Sequence, residues 1–333
     1  MRISADEARQ VGVEALFRHA SEESAASQVD LLLEADLRGV SSHGMLRLPR
    51  ILRRIEAGVT APDARGAHDW VGDAFLAVDG QRGLGPVVAN AAIAALEERL
   101  PRTGIAVAAI RNSNHIGMLG YYAEAAARRG RSMIALSTSE ALVHPWGGRR
   151  AMIGTNPVAI GVPVGGDEVF MMDTATGVVS MGEIHDHANR GAPIPEGWAL
   201  DAEGRPTTDA AAAKEGAIAP AAGPKGYALG LGFELLVTTL AGAAIGRDVT
   251  GTLDDGTVCN KGDLFILFDR AAVDMRPYLE ALRAERPAEG FDRVLVPGER
   301  GRASRDRRLS EGIDLPDALW SEIRALASGA QKG

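Results

Sequence analysis

Two histidines and one arginine are the residues whose types and spacing could do chemistry. His43 and Arg47 stand four positions apart in Ser41-Ser42-His43-Gly44-Met45-Leu46-Arg47, in a chain with only seven histidines. At that spacing, at the start of a helix, both side chains share one face. A planar guanidinium binds a carboxylate through two parallel hydrogen bonds, and an imidazole passes a proton near neutral pH. The pair therefore points to a small substrate bearing a carboxylate, with Ser42 beside it. His115 lies in Arg111-Asn112-Ser113-Asn114-His115-Ile116-Gly117, directly after an apolar stretch that reads as a strand over 104–110. Loops at strand ends carry function, and the neighbouring Asn and Ser offer fixed donors and acceptors, so His115 is a second candidate even though a lone histidine is more often structural.

Three further segments have the composition of ligand loops, each of which could equally be a turn or a cap. Gly154-Thr155-Asn156-Pro157 precedes a strand and exposes amides and a hydroxyl suited to a carboxylate or phosphate. Asp173-Thr174-Ala175-Thr176-Gly177 ends a strand with an acid able to accept from ribose hydroxyls. Gly223-Pro224-Lys225-Gly226-Tyr227 opens a helix whose N-terminus and lysine could hold phosphates. By contrast, Gly83-Leu84-Gly85-Pro86-Val87-Val88 imitates a dinucleotide fingerprint only in part, because Val88 occupies the third glycine position and Pro86 lacks an amide. It reads as a glycine turn before a proline-started helix. His185-Asp186-His187 lacks a third ligand at any recognised spacing and sits in a segment of loop composition, so no metal site is expected. A hydrolase would need Ser42 or Ser113 with a histidine and Asp173, but no Gly-x-Ser-x-Gly turn exists to expose a nucleophile.

The elements that must position these residues follow from periodicity. Helices are expected over 4–19, 21–37 and 46–57, with no strand signal in the first seventy residues. Strands and helices then alternate: strand 74–78, helix 86–100, strand 104–110, helix 118–129, strand 133–137. Strands 158–164 and 169–173 flank Gly165-Gly166 as a hairpin, which makes the sheet mixed. A long loop over 184–222 reads as a functional cover or subunit contact. Helix 225–245, strand 264–269, helices 274–288 and 314–327, and a strand at 294–296 close the chain.

At 333 residues, two domains are the default. With 36 Lys+Arg against 44 Asp+Glu, the net charge of -8 argues against nucleic acid as a partner. The arginines of 47–54 and 300–308 read mainly as solvated faces. Cys259 stands alone and fits a reducing compartment. Ser4 and Glu7 make a capping box where a signal peptide would carry an apolar run, and no segment reaches membrane-spanning length. A cytoplasmic protein is expected.

Taken in order, Ser42-His43-Gly44, Asn114-His115-Ile116-Gly117, Gly147-Gly148, Gly154-Thr155-Asn156-Pro157, Asp173 to Thr176, Trp198 to Asp209 and Pro224-Lys225-Gly226-Tyr227 resemble the malate/L-lactate dehydrogenase type 2 family over nearly the whole chain. The resemblance implies an α/β protein with a non-Rossmann, mixed-sheet NAD(P)-binding domain (73–271) and a smaller helical domain built from both chain ends (1–72 and 272–333). It implies an NAD- or NADP-dependent oxidoreductase of a 2-hydroxy acid of the malate, lactate, sulfolactate or ureidoglycolate type. The alternatives are a reductase of a cyclic imino acid and a non-catalytic homologue that binds a small acid or nucleotide. It implies a homodimer with its site near the subunit boundary. By motif match, His115 is the acid/base, with His43 the other candidate. Ser42, Arg47 and Thr155 attend the substrate, and Ser139, Asn156, Asp173, Thr174, Ala175, Pro224, Lys225 and Arg300 attend the cofactor. Gly177 stands where the family pattern has a serine, which loosens one cofactor contact.

Overall fold

The computed structural model describes residues 1–270 and 273–329. The chain opens with strand β1 (Arg2–Ile3) and helices α1 (Ala5–Phe17), α2 (Glu22–Leu37) and α3 (Leu48–Glu56). Ser4 caps α1 by accepting the Glu7 amide at 3.1 Å, and Ser21 caps α2 from the Ser24 amide. Next come β2 (Ala67–Val71), β3 (Phe75–Asp79), α4 (Gly85–Thr103), β4 (Ile105–Arg111), α5 (Leu119–Arg128), β5 (Ser132–Ser137), β6 (Val158–Gly165) and β7 (Glu168–Thr174). They are followed by α6 (Met181–Asn189), β8 (Ala199–Leu200), β9 (Pro206–Thr207), α7 (Ala210–Lys214), β10 (Ala217–Ile218), α8 (Pro224–Ala241) and β11 (Gly262–Phe268). The last elements are α9 (Arg276–Ala284), α10 (Glu299–Glu311), β12 (Ile313–Asp314) and α11 (Asp317–Ser328).

Seven strands form one mixed sheet in the order β2-β3-β4-β11-β5-β6-β7, with β3 and β4 parallel and every other pair antiparallel. Small residues let helices lie close to it. Gly161 of β6 leaves no room for a side chain, since a methyl there would meet the Ala123 carbonyl of α5 at 2.0 Å. The core of the sheet runs through Leu76, Leu96, Ile110, Tyr122 and Phe265, and a second core joins α1, α2, α3 and α11 through Leu16, Leu32, Leu48, Trp320 and Ile323.

The register decides where function can lie. Arg111 pairs with Gly262, Ser137 with Asp263, Leu136 with Val158, and Val158 with Thr174. The ends of β4, β5 and β7 and the starts of β6 and β11 therefore meet at one edge of the sheet. The segments leaving or entering there carry His115, Ser139, Thr155, Asp173 to Ala175 and Lys261.

The structure corrects five expectations. The opening segment contains strands after all: β1 pairs with β12, and β2 joins the sheet beside β3. β2 is exposed on nearly all its residues, so no apolar alternation marks it. His43 and Arg47 lie on two short 3-10 turns, 41–43 and 45–47, because Gly44 adopts an extended conformation between them; the α-helix begins only at Leu48, with Pro49 in its first turn. Residues 184–222 are not a loop: they hold α6, α7 and a three-stranded sheet around Ile184, Ile194, Ala199 and Ile218. Their strands of two residues are too short to show periodicity. No strand forms at 294–296; Val296 instead packs against Val164 and Leu279. The Arg-rich 300–308 segment belongs to α10, which buries none of its residues fully and docks through ion pairs rather than an apolar face. The boundary placed between 271 and 272 lies outside the described residues, as do 330–333.

Candidate active site

The two histidines converge. The rings of His43 and His115 lie 5.3 Å apart between centroids, tilted by 41°. The His43 Nδ1 is 2.9 Å from the Ser42 hydroxyl. Arg47 donates from Nε to the Ser42 carbonyl at 2.6 Å. Burial pushes the His43 imidazole down to about 3, with the Arg47 charge adding to it. Burial likewise lowers Arg47 to about 10, and Arg50 contributes. His115 is held well below its ordinary value by burial, then by Arg47, His43, Lys261 and Arg50. Both histidines are neutral near pH 7, in a pocket whose formal charge is positive.

The His115 turn is braced from several sides. The Asn114 side chain donates to the Arg82 and Gly83 carbonyls at 2.7 and 2.9 Å, and its oxygen accepts from Arg54 and Thr60. Arg54 is 5 % exposed and also reaches the Asp254 and Thr257 carbonyls, so it is a buried strut and not the solvated side chain the Arg-rich run suggested. Gly85 permits contact from α4: a methyl there would lie 2.2 Å from the His115 carbonyl. The glycine turn that imitated a dinucleotide fingerprint is thus a packing surface for His115. Beneath it, buried Asp263 accepts from Ser113 at 3.1 Å and Ser137 at 2.7 Å and is paired with the buried Lys261 ammonium.

A second group is tied together by hydrogen bonds. The Thr155 amide donates to the Ser139 hydroxyl at 3.0 Å, and the Thr155 carbonyl accepts from the Thr176 amide at 2.8 Å and its hydroxyl at 2.9 Å. The Thr176 carbonyl accepts from the Ala221 amide, and Gly177 pairs with Pro220, which brings 174–177 beside the start of α8. Ser139, Thr155, Asp173 to Ala175, Pro224 and Lys225 therefore form one contiguous rim. A methyl on Gly182, at the start of α6, would lie 3.3 Å from Ser42 Cβ, so α6 links this rim to the histidine group.

The rim fits a dinucleotide. Thr174, Ala175, Pro224 and Lys225 are exposed, Lys225 stands in the first turn of an 18-residue helix, and the Asn156 Oδ1 is a buried acceptor with no donor. Asp173 itself is spoken for. Its carboxylate accepts the Gly120 amide at 2.7 Å at the start of α5, and burial pushes it up to about 6. With that partner and, among the described residues, no histidine bonded to it, Asp173 does not complete a Ser/His/Asp hydrolase arrangement. Arg300 is exposed on the first turn of α10 and has no hydrogen bond or ion pair to either group among the described residues.

Residues missed from sequence include Glu234, the one acid on α8. It is buried, and its carboxylate accepts the Gly154 amide at 3.1 Å, the Asn156 amide group at 2.5 Å and the Gly246 amide at 2.6 Å. A lone acid inside an otherwise uncharged run was the available signal. His185 and His187 lie on α6 rather than in a loop; His187 sits edge-on to Trp198 with ring centroids 5.7 Å apart, and its Nδ1 is 2.8 Å from the Pro193 carbonyl.

Comparison with known proteins places this geometry. The chain is 36% identical over 332 residues to an L-sulfolactate dehydrogenase of Methanothermobacter thermautotrophicus, covering 98% of this chain and 96% of that one. It is 36% identical to a (2R)-3-sulfolactate dehydrogenase (NADP(+)) of Chromohalobacter salexigens, covering 89% of each. The crystal structure of a dehydrogenase from Sinorhizobium meliloti superposes with a TM-score of 0.94 at 50% identity, covering 98% of both chains. The family model described as malate/L-lactate dehydrogenase matches residues 3–324. The chain belongs to the malate/L-lactate dehydrogenase family.

Proposed function

We propose that this protein is an NAD- or NADP-dependent dehydrogenase that oxidises a small 2-hydroxy acid, and reduces the matching 2-keto acid, at a site built on His43, Arg47 and His115. The observation that carries the reading is the neutral histidine pair beside Arg47, whose terminal nitrogens have no partner among the described residues. Arg47 binds the substrate carboxylate as a fork and fixes the 2-carbon; Ser42 and Thr155 border it. Asn156, Ser139, Thr174, Ala175, Pro224 and Lys225 would hold the cofactor, with Asp173 bracing their loop; Arg300, on the first turn of α10, is retained as a further cofactor contact on the family resemblance alone. Bound there, the nicotinamide supplies hydride chemistry. A histidine exchanges the hydroxyl proton, and burial of the site keeps water from competing. The test is a panel of 2-keto acids and a cyclic imino acid offered with NADH and with NADPH. Turnover of a keto acid is the expected result; turnover of the imino acid alone would transfer the chain to the reductase class, and no turnover would remove the reading.

The same proposal takes residues 1–72 and 272–333 as a helical domain beside a non-Rossmann cofactor domain, supported by the core shared between α1, α2, α3 and α11. It places the protein in the cytoplasm, consistent with a single, unpaired and buried cysteine; among the described residues no helix is long and apolar enough to cross a membrane. It also makes the protein a homodimer. The outer face of α8 presents Leu229, Leu235, Leu236 and Leu240 at 55, 49, 44 and 38 % exposure, while Glu234 on its inner face holds the Thr155 turn. An uncharged stripe of this kind on a soluble chain calls for cover, and a second copy sets the interface against the site. Sedimentation should give a dimer that Leu236→Arg splits into monomers; a monomeric parent protein would refute this.

A further inference from the structure

A buried ion pair stands outside the groups assigned to substrate or cofactor. Lys261, Gly262 and Asp263 lead into β11, and residues two apart face the same side of a strand, so the two charged side chains lie together. The Lys261 and Asp263 side chains are 2 % and 0 % exposed and are paired with each other. Taking two charges out of water is costly, and well-packed apolar residues in their place are often as stable or more so. The pair therefore calls for an explanation other than stability, and the bonds of the carboxylate supply it.

Each Asp263 oxygen ties down one serine. Oδ1 accepts the Ser137 hydroxyl at 2.7 Å, Oδ2 accepts the Ser113 hydroxyl at 3.1 Å, and the Lys261 ammonium donates to both oxygens. Ser113 lies two residues ahead of His115, and Ser137 two residues ahead of Ser139, which accepts the Thr155 amide. One carboxylate thus joins the histidine turn to the rim. The His115 ring follows its turn, because the Gly117 amide donates to its Nδ1 at 3.0 Å. The rim is also held next door: the Thr138 amide donates to the Gly262 carbonyl and the Gly262 amide to the Thr138 hydroxyl, each at 2.9 Å. A carboxylate takes both serine hydroxyls and the ammonium as donors, whereas an asparagine would present an NH₂ to one serine and to the ammonium.

We propose that Asp263, charge-balanced by Lys261, is a positioning residue for hydride transfer: it fixes the separation between the His115 turn and the rim of Ser139 and Thr155. The inference rests on the dehydrogenase reading above. In oxidation the 2-carbon loses its hydrogen, with the electron pair, to the oxidised nicotinamide, and the hydroxyl loses its proton to a histidine, leaving the carbonyl. The histidine turn faces the reacting oxygen and the rim faces the cofactor, so their separation sets how squarely the 2-carbon meets the ring that takes its hydride. A displacement of about 1 Å between them can cost about 10²-fold in rate. Buried as they are, Lys261 and Asp263 act through Ser113 and Ser137 and not on the substrate.

Each arm of the carboxylate can be followed in the full-length protein. Cofactor affinity is read by titrating NADH and NADPH fluorescence, and hydride transfer by the nicotinamide absorbance in a single turnover of a saturating 2-keto acid. Ser113→Ala should slow the single turnover by about 2- to 10-fold, the worth of one hydrogen bond, with cofactor affinity unchanged. Ser137→Ala should weaken cofactor binding by a similar factor. Asp263→Asn should do both, slowing the single turnover by about 10- to 100-fold. Folded variants with the parent's affinity and rate, whatever their melting temperature, would show that the pair only supports the fold and would overturn the proposal; the two serine variants decide it if Asp263→Asn does not fold. Amide hydrogen exchange needs no turnover and keeps this question apart from the functional reading. In Asp263→Asn, or in the double Ser113→Ala, Ser137→Ala variant, exchange at Gly117 and Thr155 should quicken together. Exchange unchanged at either turn would overturn the joint, whereas a parent protein that turns over no 2-keto acid would sink the dehydrogenase reading.

Discussion

Arg47→Ala lowers kcat/KM for a 2-hydroxy acid by about 10²- to 10³-fold, most of it in KM. A hydrogen bond to a charged group is worth about 1.5–3 kcal/mol, and a bidentate fork makes two, less what solvent returns to the freed carboxylate. The structure leaves that fork available: among the described residues, only the Arg47 Nε is committed, to the Ser42 carbonyl. Arg47→Lys recovers little, because an ammonium cannot both hold the Ser42 carbonyl and present two parallel donors. Steady-state kinetics with a 2-hydroxy acid and with its amide decide the point. The parent enzyme should prefer the acid and the variant should lose that preference; equal losses on both would mean that Arg47 only supports the turn. The charge loss also relieves His43 of its main neighbouring cation, so its imidazole rises from about 3 toward its ordinary value, limited by burial.

Glu234→Ala destabilises the protein by about 3–5 kcal/mol, the largest stability effect expected of a single change at the rim. The substitution strips the partner from the buried Gly154 amide, from one N–H of the buried Asn156 side chain, whose other N–H keeps the Gly230 carbonyl, and from the part-buried Gly246 amide, and an unsatisfied buried donor costs about 1–3 kcal/mol before water enters to relieve it. Glu234→Gln is informative because it preserves shape. Three N–H groups converge on a carboxylate that has only acceptors, and a glutamine must turn its own NH₂ toward at least one of them. The glutamine variant should therefore remain folded at reduced stability, with the Thr155 turn displaced and the KM for cofactor and substrate raised. Chemical denaturation followed by kinetics on the folded fraction checks both. A glutamine variant as stable and active as the parent would show that the three donors find water instead.

Much of this was legible in the chain. The Ser4 cap opens its helix, the Gly165-Gly166 turn joins β6 to β7, and the sheet is mixed. What these share is a local cause: a hydroxyl three residues ahead of an amide, a pair of residues free to take positive φ, a run of apolar side chains. The site residues were readable as types for the same reason, since a histidine four positions from an arginine announces chemistry whatever surrounds it. The failures are equally physical. β2 is exposed on nearly all its residues and carries no periodicity, α10 docks by ion pairs and has no apolar face, and the two-residue strands of 184–222 are too short for a pattern.

The sequence by itself determined which side chains were available and the family to which their order belongs, because both are properties of residue identity and spacing along the chain. Only the tertiary structure decided how they act. Antiparallel β11 inserts between β4 and β5 and aligns their ends, so that residues from 113 to 263 share one edge of the sheet. The Gly117 amide, two residues beyond His115, selects that ring's tautomer, and Glu234, nearly eighty residues from Asn156, holds the rim. A hydrogen bond depends on direction and on distances of about 3 Å, and neither is a property of sequence until the chain has folded.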